Sequence, residues 1–115
     1  GTLGIYAGCT QAVFDILRPV LLYMGCQVLH MGENGKGIQM KICQNALSHE
    51  IQAAVNETLT LAQLNGISVD NFAKAVSMGG AGNFYLQSKY EAIRDRDYSV
   101  AFPVEYALKD LNICK

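Results

Sequence analysis

The sequence predicts a mainly α fold, built on one long helix and preceded by a short β–α–β segment. Three observations lead there. Residues 38–64 carry an uninterrupted helical pattern without Pro or Gly. From residue 32 onward no strand-like run occurs. Residues 1–31 instead alternate strand, helix and strand, and the character changes at a segment holding Gly32, Gly35 and Gly37.

The elements follow in order. Residues 3–8 (Leu-Gly-Ile-Tyr-Ala-Gly) form a β-prone run. Residues 10–24 place Val13, Phe14, Leu17, Leu21 and Leu22 at helical spacing, with Gly25 as a stop. Pro19 lies inside that pattern, lacks a backbone donor and crowds the carbonyl of Asp15, so a bend is expected. Residues 27–31 form a second strand. Two strands do not make a stable sheet alone, so residues 1–31 are expected to be the end of a larger domain. Their strands are expected to pair with another copy or to lack order.

The helix over 38–64 would extend about 40 Å and is closed by Asn65-Gly66. Three shorter helices are expected after it. One follows the N-cap Ser68 and stops at Gly79-Gly80. Another follows Asn83 and reaches about Arg94. The last opens at Pro103, a residue suited to a first helical turn, and runs to the C-terminus.

Composition limits the function. The chain has 115 residues, 50% hydrophobic and 17% charged, which describes a globular domain rather than a disordered one. Net charge is -1. Lys89, Arg94 and Arg96 are interleaved with Glu91, Asp95 and Asp97, so they read as a solvated face and no nucleic-acid partner is expected. Cys9, Cys26, Cys43 and Cys114 form no C-x-x-C pair. They read as reduced thiols of a cytoplasmic protein, Cys43 as a small hydrophobe among apolar neighbours, and no metal site is expected. Residues 38–64 are too charged for a membrane span, and no secretory signal is expected.

The long helix carries the chemistry. Lys41, Asn45, Ser48, His49, Gln52 and Asn56 fall along one side of it. The remainder is so apolar that burial on most of its circumference is expected. A polar stripe of this kind can simply face solvent. Lys41 and Asn45, however, stand one turn apart at the helix start, just after the three glycines. A lysine there can give a proton to, or take one from, a substrate oxygen, and an amide one turn away can orient the substrate. Gly37 would let the backbone approach a ligand or another segment. Residues 32–37 match neither G-x-G-x-x-G nor the P-loop pattern, so they form no phosphate cradle.

The pattern G-x-x-G-x-G-x-x-x-K-x-x-x-N over residues 32–45 resembles the signature of the β-hydroxyacid dehydrogenases, the 3-hydroxyisobutyrate dehydrogenase family related to 6-phosphogluconate dehydrogenase. Gly1-Thr-Leu, Tyr23-Met-Gly-Cys-Gln-Val-Leu-His-Met-Gly32, Gly79-Gly80-Ala-Gly82, Arg96-Asp-Tyr-Ser, Phe102 and Leu108-Lys-Asp-Leu111 extend it over essentially the whole chain. The resemblance implies that residues 1–31 end an incomplete Rossmann domain. Residues 32–115 would form an all-helical C-terminal domain for substrate binding and dimerisation. It implies Lys41 as general acid/base, Asn45 and Gly37 at the substrate, and Phe102, Lys109 and Asp110 near NAD or NADP. For Phe102 core packing is the alternative, and for Lys109 an i,i+4 pair with Glu105. Asn83-Phe84-Tyr85 stands where relatives often carry a Trp or a Ser-rich turn.

The implied reaction interconverts a short 3-hydroxy acid and its semialdehyde by hydride transfer. The expected partners are that small molecule and a second copy of the chain, with no membrane. The 115-residue chain alone is expected to turn over little or nothing, because the Gly-rich fingerprint is absent. The competing reading is a helical oligomerisation module with no catalytic role.

Overall fold

The structure is a computed structural model that describes residues 2–99 and 102–113. In chain order the elements are β1 (Gly4–Gly8), α1 (Gln11–Leu21), β2 (Gln27–Gly32), α2 (Lys36–Leu64), α3 (Val69–Ser77), α4 (Phe84–Asp95) and α5 (Val104–Ile113). The described residues form two compact units. The first holds those up to Asn45 and those from Asp110 onward; the second holds Ala46 to Lys109.

In the first unit β1 and β2 pair in parallel, from Gly4 opposite Gln27 to Ala7 opposite His30, with an irregularity between Ala7 and Gly8. Helix α1 is the crossover that a parallel pair requires. It continues through Pro19 to Leu21. Phe14 of α1 and Val28 of β2 are buried. The Phe14 ring stacks on His30 at 4.8 Å, and His30 Nε2 donates to the Cys9 carbonyl at 2.6 Å. Ring stacking therefore fastens the sheet to its crossover, and the hydrogen bond ties β2 to the residue that follows β1.

The start of α2 closes this unit. A Cβ built on Gly37 would collide with the Tyr6 carbonyl, and one on Gly8 would lie 2.8 Å from the Glu33 carbonyl and 2.9 Å from Gly37 N. Backbone thus rests directly on backbone, and Gly37 is buried. Gly32 and Gly35 have φ of 109° and 89°, which shape the turn that delivers the helix there.

These observations correct the expected fold class. The chain is not an all-helical domain trailing an unpaired remnant: among the described residues five helices accompany a two-stranded parallel sheet, whose strands pair with each other. The reason is physical. Two isolated strands are unstable, but here α1 packs on the pair and the glycine contact lets α2 lie against β1, which supplies the third partner the expectation lacked.

In the second unit α2 contributes Val55, Leu59 and Ala62 to the core, at i, i+4 and i+7, and α4 contributes Leu86. Ser68 Oγ caps α3 by accepting from Asn71 N at 3.2 Å, and Asn83 Oδ1 caps α4 by accepting from Leu86 N at 2.8 Å. Arg96 ends α4 in the left-handed region with φ 54°. Tyr90 of α4 donates to Asp70 Oδ1 of α3 at 2.6 Å. The Pro103 carbonyl accepts from Tyr106 N and Ala107 N and so opens α5. Burial of α2 is narrower than its composition suggests, since Ile38, Met40, Leu47, Leu61 and Leu64 are exposed. Cys43 is likewise exposed rather than packed, and Cys9, Cys26 and Cys43 are free thiols. Cys114 lies outside the described residues. No helix among the described residues is long and apolar enough to cross a membrane.

Candidate functional site

The first unit holds both residues that the motif singles out, Lys41 and Asn45, and Asp110, which the wider resemblance implies. Lys41 and Asn45 stand one turn apart on α2, and Asn45 Nδ2 donates to Asp110 Oδ2 at 2.7 Å. Asn45 and Asp110 are half-buried, whereas Lys41 is exposed and has no hydrogen bond or ion pair among the described residues. An amide whose orientation a carboxylate holds thus stands one helical turn after Lys41. Because an ionised carboxylate only accepts, the amide nitrogen of Asn45 must face Asp110. The second N–H and the side-chain carbonyl oxygen of Asn45 make no hydrogen bond with described residues.

A further contact fixes this turn of the helix. Tyr6 of β1 donates its hydroxyl proton to Gln44 Oε1 at 3.0 Å, one residue before Asn45. Together with the seating of Gly37 on β1, it sets the rotation of α2 about its axis. Gly37 acts in the fold through this close approach. Sequence reasoning did not single out Tyr6 or Gln44, and no spacing rule connects residues 38 apart.

Phe102 and Lys109 lie in the second unit. Phe102 is 57% exposed, so core packing does not account for it. Its ring is near-parallel to His49 of α2 at 6.3 Å and edge-on to Tyr106 at 6.0 Å. Lys109 is exposed. A separate cleft of about 550 Å³ between α3 and α4 has Asp70, Lys74 and Tyr90 on its polar side and contains none of the motif residues. The hydrogen bond from Tyr90 to Asp70 raises the phenol pKa above its ordinary value, with desolvation adding to the effect.

Comparison with known proteins gives the family. Residues 35–115 match the family model described as NAD-binding of NADP-dependent 3-hydroxyisobutyrate dehydrogenase, and the chain belongs to that family. NAD or NADP is the family's cofactor. The description also replaces the expected label of an all-helical C-terminal domain, because it assigns this stretch to nucleotide binding.

Relatives include 2-(hydroxymethyl)glutarate dehydrogenase of Eubacterium barkeri, 29% identical over 98% of this chain and 38% of its own length. The probable 3-hydroxyisobutyrate dehydrogenase-like 3 of Arabidopsis thaliana is 33% identical over 98% and 35%. The 3-sulfolactaldehyde reductase of Escherichia coli is 30% identical over 98% and 38%. Among solved structures, Mycobacterium tuberculosis 3-hydroxyisobutyrate dehydrogenase shares the fold, with a TM-score of 0.88 at 22% identity, covering 98% of this chain and 41% of that one. The chain thus spans roughly two-fifths of the length of the proteins it matches.

Proposed function

We propose that this chain supplies part of an NAD(P)-dependent dehydrogenase, including part of its cofactor-binding region. The reaction interconverts a short 3-hydroxy acid, 3-hydroxyisobutyrate-like, and its semialdehyde. The single observation that carries the reading is the Asn45–Asp110 hydrogen bond one helical turn after the exposed Lys41. This donor set fits the reactive end of a nicotinamide cofactor and its substrate. When bound, NAD(P) supplies or accepts the hydride.

The chain's own residues manage the proton and the orientation. Lys41 Nζ donates to the carbonyl oxygen during reduction and takes the hydroxyl proton back during oxidation. Asn45 holds a substrate oxygen through its remaining N–H or its carbonyl, and Asp110 keeps that amide from rotating. Gly37 serves the substrate side indirectly, by seating α2. Phe102 and Lys109 serve the cofactor, as the family resemblance implies. The relatives act, by name, on hydroxy acids or aldehydes, in keeping with this substrate class.

A second function accompanies this one. The exposed Leu47, Leu61 and Leu64 of α2 suit contact with a second copy of the chain. The test is a panel of short 3-hydroxy acids offered with NAD or NADP to the complete protein, read at the absorbance of the reduced nicotinamide. Turnover of at least one acid supports the dehydrogenase reading. A folded, cofactor-binding protein that turns over none, yet dimerises in light scattering, would leave only an assembly module.

A further inference from the structure

Tyr6 of β1 touches α2 at two places. Its backbone carbonyl lies against Gly37, so close that a Cβ there would collide with it. Its side-chain hydroxyl donates to Gln44 Oε1 at 3.0 Å. Gly37 and Gln44 are separated by about two turns and therefore lie on nearly the same face of the helix. Lys41 falls between these anchors, about 40° around the axis from Gly37 and about 60° from Gln44. Asn45 follows Gln44 directly, and all of these residues belong to the first compact unit.

We infer that Tyr6 is a positioning residue for the reaction: its hydroxyl, through Gln44, fixes the roll of the helical turn that carries Lys41 and Asn45. The inference rests on the reading of those two residues given above, and Tyr6 acts through Gln44 rather than on the substrate. A helix held at one point can still roll and pivot about it. Gly37 alone is such a pivot, because it has no side chain to interlock with the strand. Side chains reach about 5 Å or more from the axis, so a roll of about 10° moves a terminal nitrogen by about 1 Å. A displacement of that size can slow a reaction by up to about 10²-fold. The Tyr6–Gln44 bond is exposed and contributes little to stability, yet it holds the motion to which the chemistry is most sensitive.

The experiment compares the complete wild-type protein with Tyr6→Phe, Gln44→Met and the double variant, on a 3-hydroxy acid that the wild type oxidises. Tyr6→Phe removes one oxygen and keeps both the ring and the carbonyl against Gly37. Gln44→Met keeps the length of the side chain and removes the acceptor. Each single variant should lower the single-turnover rate of hydride transfer about fivefold or more. KM and cofactor affinity should stay within about twofold, because ground-state binding tolerates a roll that the transition state does not. Thermal midpoints should stay within about 3 °C of wild type. The double variant should be no slower than either single one, since the bond is already gone. If Tyr6→Phe does not fold, the split between kcat and KM in Gln44→Met carries the comparison.

An unchanged rate in the single variants, a loss confined to KM or to the thermal midpoint, or losses that multiply in the double variant would overturn the inference and make the bond a packing contact. A wild type that oxidises no 3-hydroxy acid, or a Lys41→Ala protein that keeps full activity, refutes instead the reading on which it rests.

Discussion

Asn45 and Asp110, 65 residues apart in sequence, are joined by a hydrogen bond of 2.7 Å between the amide of α2 and the carboxylate of α5. The bond ties the last element of the chain to the turn that carries Lys41. It is charge-assisted and half-buried, so it should stabilise more than an exposed pair would. Asn45→Ala and Asp110→Ala, studied singly and together by urea unfolding, should show a coupling of about 1–2 kcal/mol. Additive losses would mean that the contact contributes nothing of its own.

Gly37 is expected to be intolerant for a packing reason. Gly37→Ala would force a methyl onto the Tyr6 carbonyl, and Gly8→Ala would meet the Glu33 carbonyl and Gly37 N. Each should cost at least about 1–3 kcal/mol, because backbone cannot move aside as a side chain can. Gly79→Ala meets nothing within 4 Å and should stay within about 0.5 kcal/mol of wild type. Thermal melts of the three variants check the ordering, and a tolerant Gly37 would refute the seating of α2 on β1.

The helix caps make a third prediction. Asn83→Ala removes the acceptor of Leu86 N, and Ser68→Ala that of Asn71 N. Each should destabilise by about 1 kcal/mol, the Asn83 change more, since its bond is shorter and half-buried. Asn83→Asp should retain most of the stability.

Tyr90 should titrate above an ordinary phenol, because Asp70 accepts its proton and prefers the neutral hydroxyl. The sign follows from linkage. A folded pKa above the unfolded one contributes stability that is present at neutral pH and lost as pH rises past 10 through the folded value. In Asp70→Asn the phenol should ionise earlier, as an ultraviolet pH titration would record. An unchanged titration would remove Asp70 as the cause.

Much of this was legible in the sequence. Ser68, Asn83 and Pro103 marked three helix starts through local chemistry, because a cap is decided by its own residue and the next few. Val13, Phe14 and Leu17 located α1, and the glycine-free run from residue 38 located α2. The pairing of β1 with β2 was missed because it depends on tertiary cover, which no local pattern encodes: Gly37 against Tyr6, and Phe14 on His30.

The candidate site shows the same limit. Lys41 and Asn45 were visible as a pair at helical spacing, and Asp110 entered only by family resemblance. Nothing in the sequence said that Asp110 would hold Asn45. His49 was visible as one member of the polar stripe, yet the isolation of its Nε2 from partners depends on the shielding in the folded structure.

The central claim is that Lys41 handles the proton during hydride transfer. The direct measurement is single-turnover nicotinamide reduction by the complete protein, comparing wild type with Lys41→Ala and Lys41→Arg on a 3-hydroxy acid that the wild type oxidises. The account predicts a fall of about 10²–10⁴-fold in the hydride-transfer rate for both variants, because arginine keeps the charge but cannot accept the proton, while cofactor affinity stays the same. A Lys41→Ala protein that reduces its nicotinamide at the wild-type rate would contradict it.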